Sequence, residues 1–91
     1  MDKLKKDEIF DLLQKERASE ALEMFENIVP ENTIDYWLIK GKIEQKFQKW
    51  SGALNAFQKV IELDETNCEA QNNIRIIQNI LNFWNPEMFN P

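Results

Sequence analysis

Apolar residues recur along this chain at separations of three and four, the spacing that lines one face of an α-helix, and interruptions of that rhythm mark out five segments. Leu4, Ile9, Leu12 and Leu13, with Phe10 on their flank, predict a helix over residues 3–14. Ala18, Ala21, Leu22, Phe25, Ile28 and Val29 form a second stripe, which Pro30 stops because its ring removes a helical hydrogen bond. Asn32 and Thr33 can start a third helix, with Asp35 in its positively polarised first turn, and this helix runs to about Phe47. A fourth begins near Trp50, presents Ala53, Leu54, Phe57, Val60 and Ile61 on one side, and ends around Leu63. The turn between them, Gln48-Lys49, lacks the glycine that such turns often use. Thr66 with Glu69 three residues later has the spacing of a capping box and starts the last helix. That helix carries two stripes, Ala70, Ile74, Ile77, Leu81 and Trp84, then Ile76, Ile80 and Phe83 beside them, and Asn85-Pro86 ends it. The tail EMFNP is too short to fold alone, yet its Met88 and Phe89 are apolar enough to dock.

Within Trp37 to Asp64, WLIKGKIEQKFQKWSGALNAFQKVIELD, Trp37 and Gly41 are followed by Ala53 and Phe57, and Lys59 to Asp64 closes the segment. This arrangement resembles the tetratricopeptide repeat, a 34-residue helix hairpin with the pattern W-x2-L-G-x2-Y, then A-x3-F, then P. Lys40 and Glu44 stand where the pattern has Leu and Tyr, and Glu65 replaces the closing Pro. A thinner copy upstream has Ala21 with Phe25, and Ile9 in the place of the glycine. The interval from Ala21 to Ala53 is two residues short of a full repeat, and the shortening falls between Phe25 and Ile34. Cys68 to Trp84 occupies the place of a third first helix without its partner. The resemblance implies an all-α fold of two antiparallel helix hairpins, stacked as a short right-handed α-solenoid, with a C-terminal capping helix. In one domain, residues 3–30 are the shortened repeat, 33–65 the second, 66–85 the cap and 86–91 a tail. Independently of any family, small residues such as Gly41 and Ala53 let helix axes approach, while Trp37 and Phe57 fill the space between them. Lys40 and Glu44, four apart, read either as a mutual ion pair with packed stems or as residues facing a partner.

A chain of 91 residues buries about 60 to 65 percent of the surface its unfolded form exposes, so modest stability is expected. Its hydrophobic share of 43% can still build a core, and two Gly with three Pro favour helices joined by short turns. A single cysteine, Cys68, excludes an internal disulfide, and the opening MDKLKKDE is charged where a secretory signal is apolar, which points to the cytoplasm. No apolar run approaches the roughly 20 residues of a spanning helix, so no direct membrane insertion is expected. A net charge of -5 opposes nucleic-acid binding, although Lys42, Lys46 and Lys49 share one helical face, as a solvated row or as a site.

With no histidine, the chain lacks the commonest general base and zinc ligand, so it reads as non-enzymatic and free of cofactors or metals. Glu16, Glu20 and Glu23 read as solvated charge. The acidic stretch Asp64 to Glu69 fails the calcium-loop pattern, which needs an oxygen ligand at 68 and glycine at 69, and Cys68 reads as packed or idle.

The resemblance implies that a peptide or helix binds along the inner surface formed by the first helices. Carried over by register, that surface takes Lys6, Phe10, Leu13 and Gln14 from the first of them. Leu38, Lys42, Gln45 and Lys46 come from the second, and Ile76 and Ile80 from the third. The result is an apolar track beside a basic row. Of the two-Lys, two-Asn and Arg set with which some members clamp a chaperone's terminal carboxylate, only Lys6 is matched. Phe10, Ile39, Glu69 and Asn73 hold the other places, so that ligand is rejected. The expected function is a protein-interaction module with an unidentified protein or peptide partner. The alternative is a self-associating structural protein, a homodimer formed through the groove or the tail.

Overall fold

The structure, a computed structural model, describes residues 3–84. Among these residues the fold is all-α, with five helices: α1 (Lys3–Gln14), α2 (Ala18–Glu26), α3 (Ile34–Lys46), α4 (Trp50–Leu63) and α5 (Cys68–Trp84). Helices α1 and α2 pack as one hairpin and α3 and α4 as a second. Helix α3 also packs on α1 and α2, and α5 lies on α4. The tail at 86–91, with Met88 and Phe89, lies outside the described residues, as does the side chain of Trp84.

Both hairpin turns are built alike. At the end of α1, Glu16 N–H donates to Leu13 O (3.2 Å) and Arg17 N–H to Leu12 O (2.8 Å). At the end of α3, Gln48 N–H donates to Gln45 O (3.0 Å) and Lys49 N–H to Glu44 O (2.9 Å). This is the Schellman ending, in which the residue after the C-cap turns left-handed to satisfy the last free carbonyls. Glu16 and Gln48 hold that position, each at φ 61°, so two residues with a Cβ adopt a conformation usually left to glycine. The interval from Glu16 to Gln48 equals that from Ala21 to Ala53, so turn and helix recur together.

Helix α3 divides the interior in two. Its Tyr36, Ile39 and Ile43 join Ile9, Leu13, Ala21 and Phe25 in one buried cluster, where the Phe25 and Tyr36 rings lie 4.9 Å apart. Its Leu38 joins Ala53, Phe57, Val60, Ala70 and Ile77 in the other, and Trp37 packs against both. The approach of α3 to α4 depends on Gly41, because a Cβ there would stand 2.7 Å and 2.8 Å from two carbons of the fully buried Phe57 ring. Gly52 leaves room for the Glu44 carboxylate, which sits against the first turn of α4, where the helix dipole favours negative charge.

Three expectations are corrected. Helix α2 ends at Glu26, before Ile28 and Val29, because the Asn27 side-chain amide takes the Glu23 carbonyl (3.0 Å) and its N–H closes a tight bond to Met24 O (3.2 Å). Val29 is exposed as a result, and so is Leu4 near the start of α1. The cap of α5 is Asn67, whose Oδ1 accepts from Ala70 N–H (2.9 Å), while Thr66 gives its hydroxyl (2.7 Å) and N–H (3.1 Å) to Asp64. Cys68, read as packed or idle, is not packed: it is exposed, its Sγ 3.7 Å from the Thr66 carbonyl, which leaves the other alternative of that reading in place. The third helix begins as its sequence indicates, with Thr33 Oγ1 accepting from Tyr36 N–H (3.2 Å).

Candidate functional site

A cleft of about 660 Å³ lies between α1 and α3. Phe10, Leu13 and Gln14 of α1 form one wall, and Lys42, Gln45 and Lys46 of α3 the other. Glu16, in the α1–α2 turn, and Asn73, on α5, complete the rim. The helical register explains why these side chains meet. Lys42 and Lys46 are one turn apart on α3, and the interval that relates the two hairpin turns also relates them to Phe10 and Gln14 on α1. Leu13 is buried yet lies at the floor of the cleft, so the cleft opens directly onto the first core cluster.

Lys6, Lys42 and Lys46, the lysines of the expected groove, each have an internal carboxylate partner. Lys6 Nζ lies 3.0 Å from Asp35 Oδ2, joining α1 to the first turn of α3. That hydrogen bond, and the charge of Asp35 behind it, raise the Lys6 ammonium above its ordinary pKa. Lys46 Nζ lies 3.1 Å from Glu16 Oε1, across the mouth of the cleft. Lys42 pairs with Glu69 of α5, and its ammonium also stands 4.8 Å from the centre of the Phe10 ring, within range of a cation–π attraction.

Of the ten expected groove residues, Phe10, Leu13, Gln14, Lys42, Gln45 and Lys46 line the cleft together. Lys6 is committed to Asp35 outside the lining. Leu38 is the clear correction: at 8% exposure it belongs to the second core cluster, with residues of α4 and α5, and does not line the cleft. Ile76 (47% exposed) and the half-buried Ile80 extend along α5 beyond Asn73, adjoining the cleft without lining it. Lys40 and Glu44 face each other at 4.0 Å, as a mutual pair. Glu16 and Asn73 belong to the lining although the sequence did not single them out as groove residues. The recurrence of the hairpin turn was the available signal for Glu16, since it places a side chain at the end of each first helix.

Among the described residues, no cluster of His, Cys, Asp and Glu side chains is arranged to hold a metal ion, and no helix is long and apolar enough to cross a membrane. No family model, curated protein or solved structure matches the chain.

Proposed function

We propose that this chain is a non-catalytic interaction module of the tetratricopeptide type, which holds a peptide or a helix of a partner protein in the cleft between α1 and α3. The observation that carries this reading is the cleft itself: an apolar wall and floor, Phe10 and Leu13, meet polar groups from Lys42, Gln45 and Lys46 at a volume suited to a few side chains. Concave, mostly apolar sites with a few placed polar groups are the usual form of recognition surfaces. The recurrence of hairpin and turn at one shared interval supports the repeat reading. A cytoplasmic setting goes with it, since one cysteine cannot form an internal disulfide.

Capture of partners with immobilised protein, run in parallel with the Lys46→Glu and Ile76→Asn variants, tests the reading. Leu38 is unsuitable for such a test because a polar group there enters the core. A partner held by the wild type should associate more slowly with Lys46→Glu and dissociate faster from Ile76→Asn. Equal retention by both variants, with unchanged circular dichroism, would place the contact surface elsewhere. A second reading, self-association, draws on the exposure of Ile76 and Phe83 (76%) along one side of α5. Light scattering across concentration discriminates, since only that reading expects a mass that rises to a dimer.

A further inference from the structure

The two lysines of the cleft are occupied from within the molecule, by carboxylates that belong to two other elements. Glu16 comes from the α1–α2 turn and Glu69 from the first turn of α5, so neither belongs to the helix that carries the lysines. The acids are the more exposed members of both pairs, Glu16 at 77% against 38% for Lys46 and Glu69 at 43% against 29% for Lys42. A pair of this kind contributes little, since water and salt compete for both charges. Either glutamate can therefore swing into solvent at little cost. Lys42 has less freedom, because the Phe10 ring also holds its ammonium. With both acids turned out, the cleft presents two cations one helical turn apart beside an apolar floor, in a protein whose net charge is -5.

We infer that Glu16 and Glu69 stand where the carboxylates of a bound acidic segment would sit, and compete with that segment for Lys42 and Lys46. This rests on the cleft being the binding site, and it adds the partner's chemistry: a peptide bearing carboxylates next to an apolar side chain. The carboxylates take over the lysines, and the apolar group settles on Phe10 and Leu13. A neutral segment gains only the second contact and must leave the internal pairs in place. Removing either glutamate should therefore tighten binding of an acidic segment, whereas a merely structural ion pair would leave binding unchanged or weaken it.

The test is a titration of the full ¹⁵N-labelled chain, followed by NMR, with two probes. One is a peptide of sequence Glu-Leu-Glu-Phe-Glu and the other its counterpart with every Glu replaced by Gln. Both shift resonances of the cleft, and the acidic peptide binds the wild type more tightly. Glu16→Gln and Glu69→Gln should each tighten the acidic peptide by about two- to five-fold, the equilibrium worth of an exposed ion pair, without altering the glutamine peptide. Glu23→Gln makes the same change of net charge at an exposed position of α2, which does not line the cleft, and should give a smaller effect. Equal tightening by Glu23→Gln, or none by the two cleft variants, overturns the competition while binding of the glutamine peptide leaves the cleft reading intact. Failure of both peptides to shift cleft resonances in any folded variant overturns the cleft reading and the competition together.

Discussion

Replacing Gly41 by alanine and, separately, Gly52 by alanine should move stability in opposite directions, although both glycines lie in helices. Intrinsic propensity favours alanine over glycine inside a helix by about 0.8 to 1 kcal/mol, so propensity alone stabilises both variants. At position 41 the new methyl would stand 2.7 Å and 2.8 Å from the Phe57 ring carbons. That ring has no exposure and is enclosed by Ala53, Val60, Ala70 and Ile77, so it cannot withdraw without shifting α4 against α5. Overpacking of this kind typically costs about 1 to 3 kcal/mol. The net effect is a destabilisation of up to about 2 kcal/mol once propensity is subtracted. At position 52 the methyl meets only the end of the Glu44 side chain, which can rotate into solvent. The cost there is the loss of a carboxylate from the first turn of α4, about 0.3 to 1 kcal/mol, so the variant should be neutral or slightly stabilised.

Urea denaturation followed by circular dichroism measures both, and a third protein isolates the cause. In a Phe57→Leu background the ring is gone, so Gly41→Ala should recover its propensity gain. The cycle should show a coupling of about 1 to 3 kcal/mol between positions 41 and 57. If Gly41→Ala raises the melting temperature of the wild type by several degrees, the close approach of α3 to α4 at this point is wrong. A coupling near zero would mean that the cost arises from the backbone and not from the ring.

The left-handed turn residue of the second hairpin predicts that Gln48→Gly stabilises by about 0.5 to 1 kcal/mol, because relief of Cβ strain exceeds the added chain entropy; a lower urea midpoint would refute it. Glu16→Gly should gain less, since it also loses the ion pair with Lys46. Because Asp35 raises the Lys6 ammonium above its ordinary 10.5, its contribution is fully present below that pH and disappears as pH rises through the higher folded value. Denaturation midpoints of wild type and Lys6→Met should accordingly differ by a constant amount between about pH 6 and 9 and converge only in more alkaline solution; convergence already near neutral pH would rule out this origin.

The helices were legible because their apolar spacing is a local property, and the turn at Gln48-Lys49 showed itself by what interrupted that spacing. What escaped was decided by competition between nearby polar groups. Thr66 and Asn67 are both good caps, but Asp64 claims the Thr66 hydroxyl and leaves the end of α5 to Asn67. Asn27 ends α2 by a side-chain bond that its apolar neighbours do not announce. The cleft was half legible for a different reason. Register carried over from one first helix to the next brings Phe10, Lys42 and Lys46 to one cleft, because α1 and α3 recur at the same interval as the turns that end them. The same transfer did not anticipate the burial of Leu38, since α3 contributes to both core clusters and Leu38 belongs to the one it shares with α4 and α5. The pairing of Glu16 with Lys46, far apart in the chain, depends on the stacking of whole helices and has no local signature.

The way α5 meets the rest of the molecule bears on how far the stack can extend. With its first residue, Cys68, set against Ile34 at the start of α3, Tyr36 corresponds to Ala70 and Ile43 to Ile77, all four buried. The face that α3 turns to α4 carries Ile34, Leu38 and Gly41, whose counterparts in α5 are Cys68, Asn72 and Arg75, all exposed. A further helix laid on α5 as α4 lies on α3 would have to cover an amide and a guanidinium instead of aliphatic groups, and desolvating them without partners is unfavourable. The side of α5 that meets α4 is thus built like a first helix, while the side away from it sets Asn72 and Arg75 beside the exposed Ile76 and Phe83. Stacked repeats need such a terminal element, because each hairpin leaves an apolar face that its neighbour must cover. Here the covering is supplied by Ala70, Ile74, Ile77 and Leu81, so α5 completes the core around Phe57 while its polar face disfavours another helix packed in the same manner.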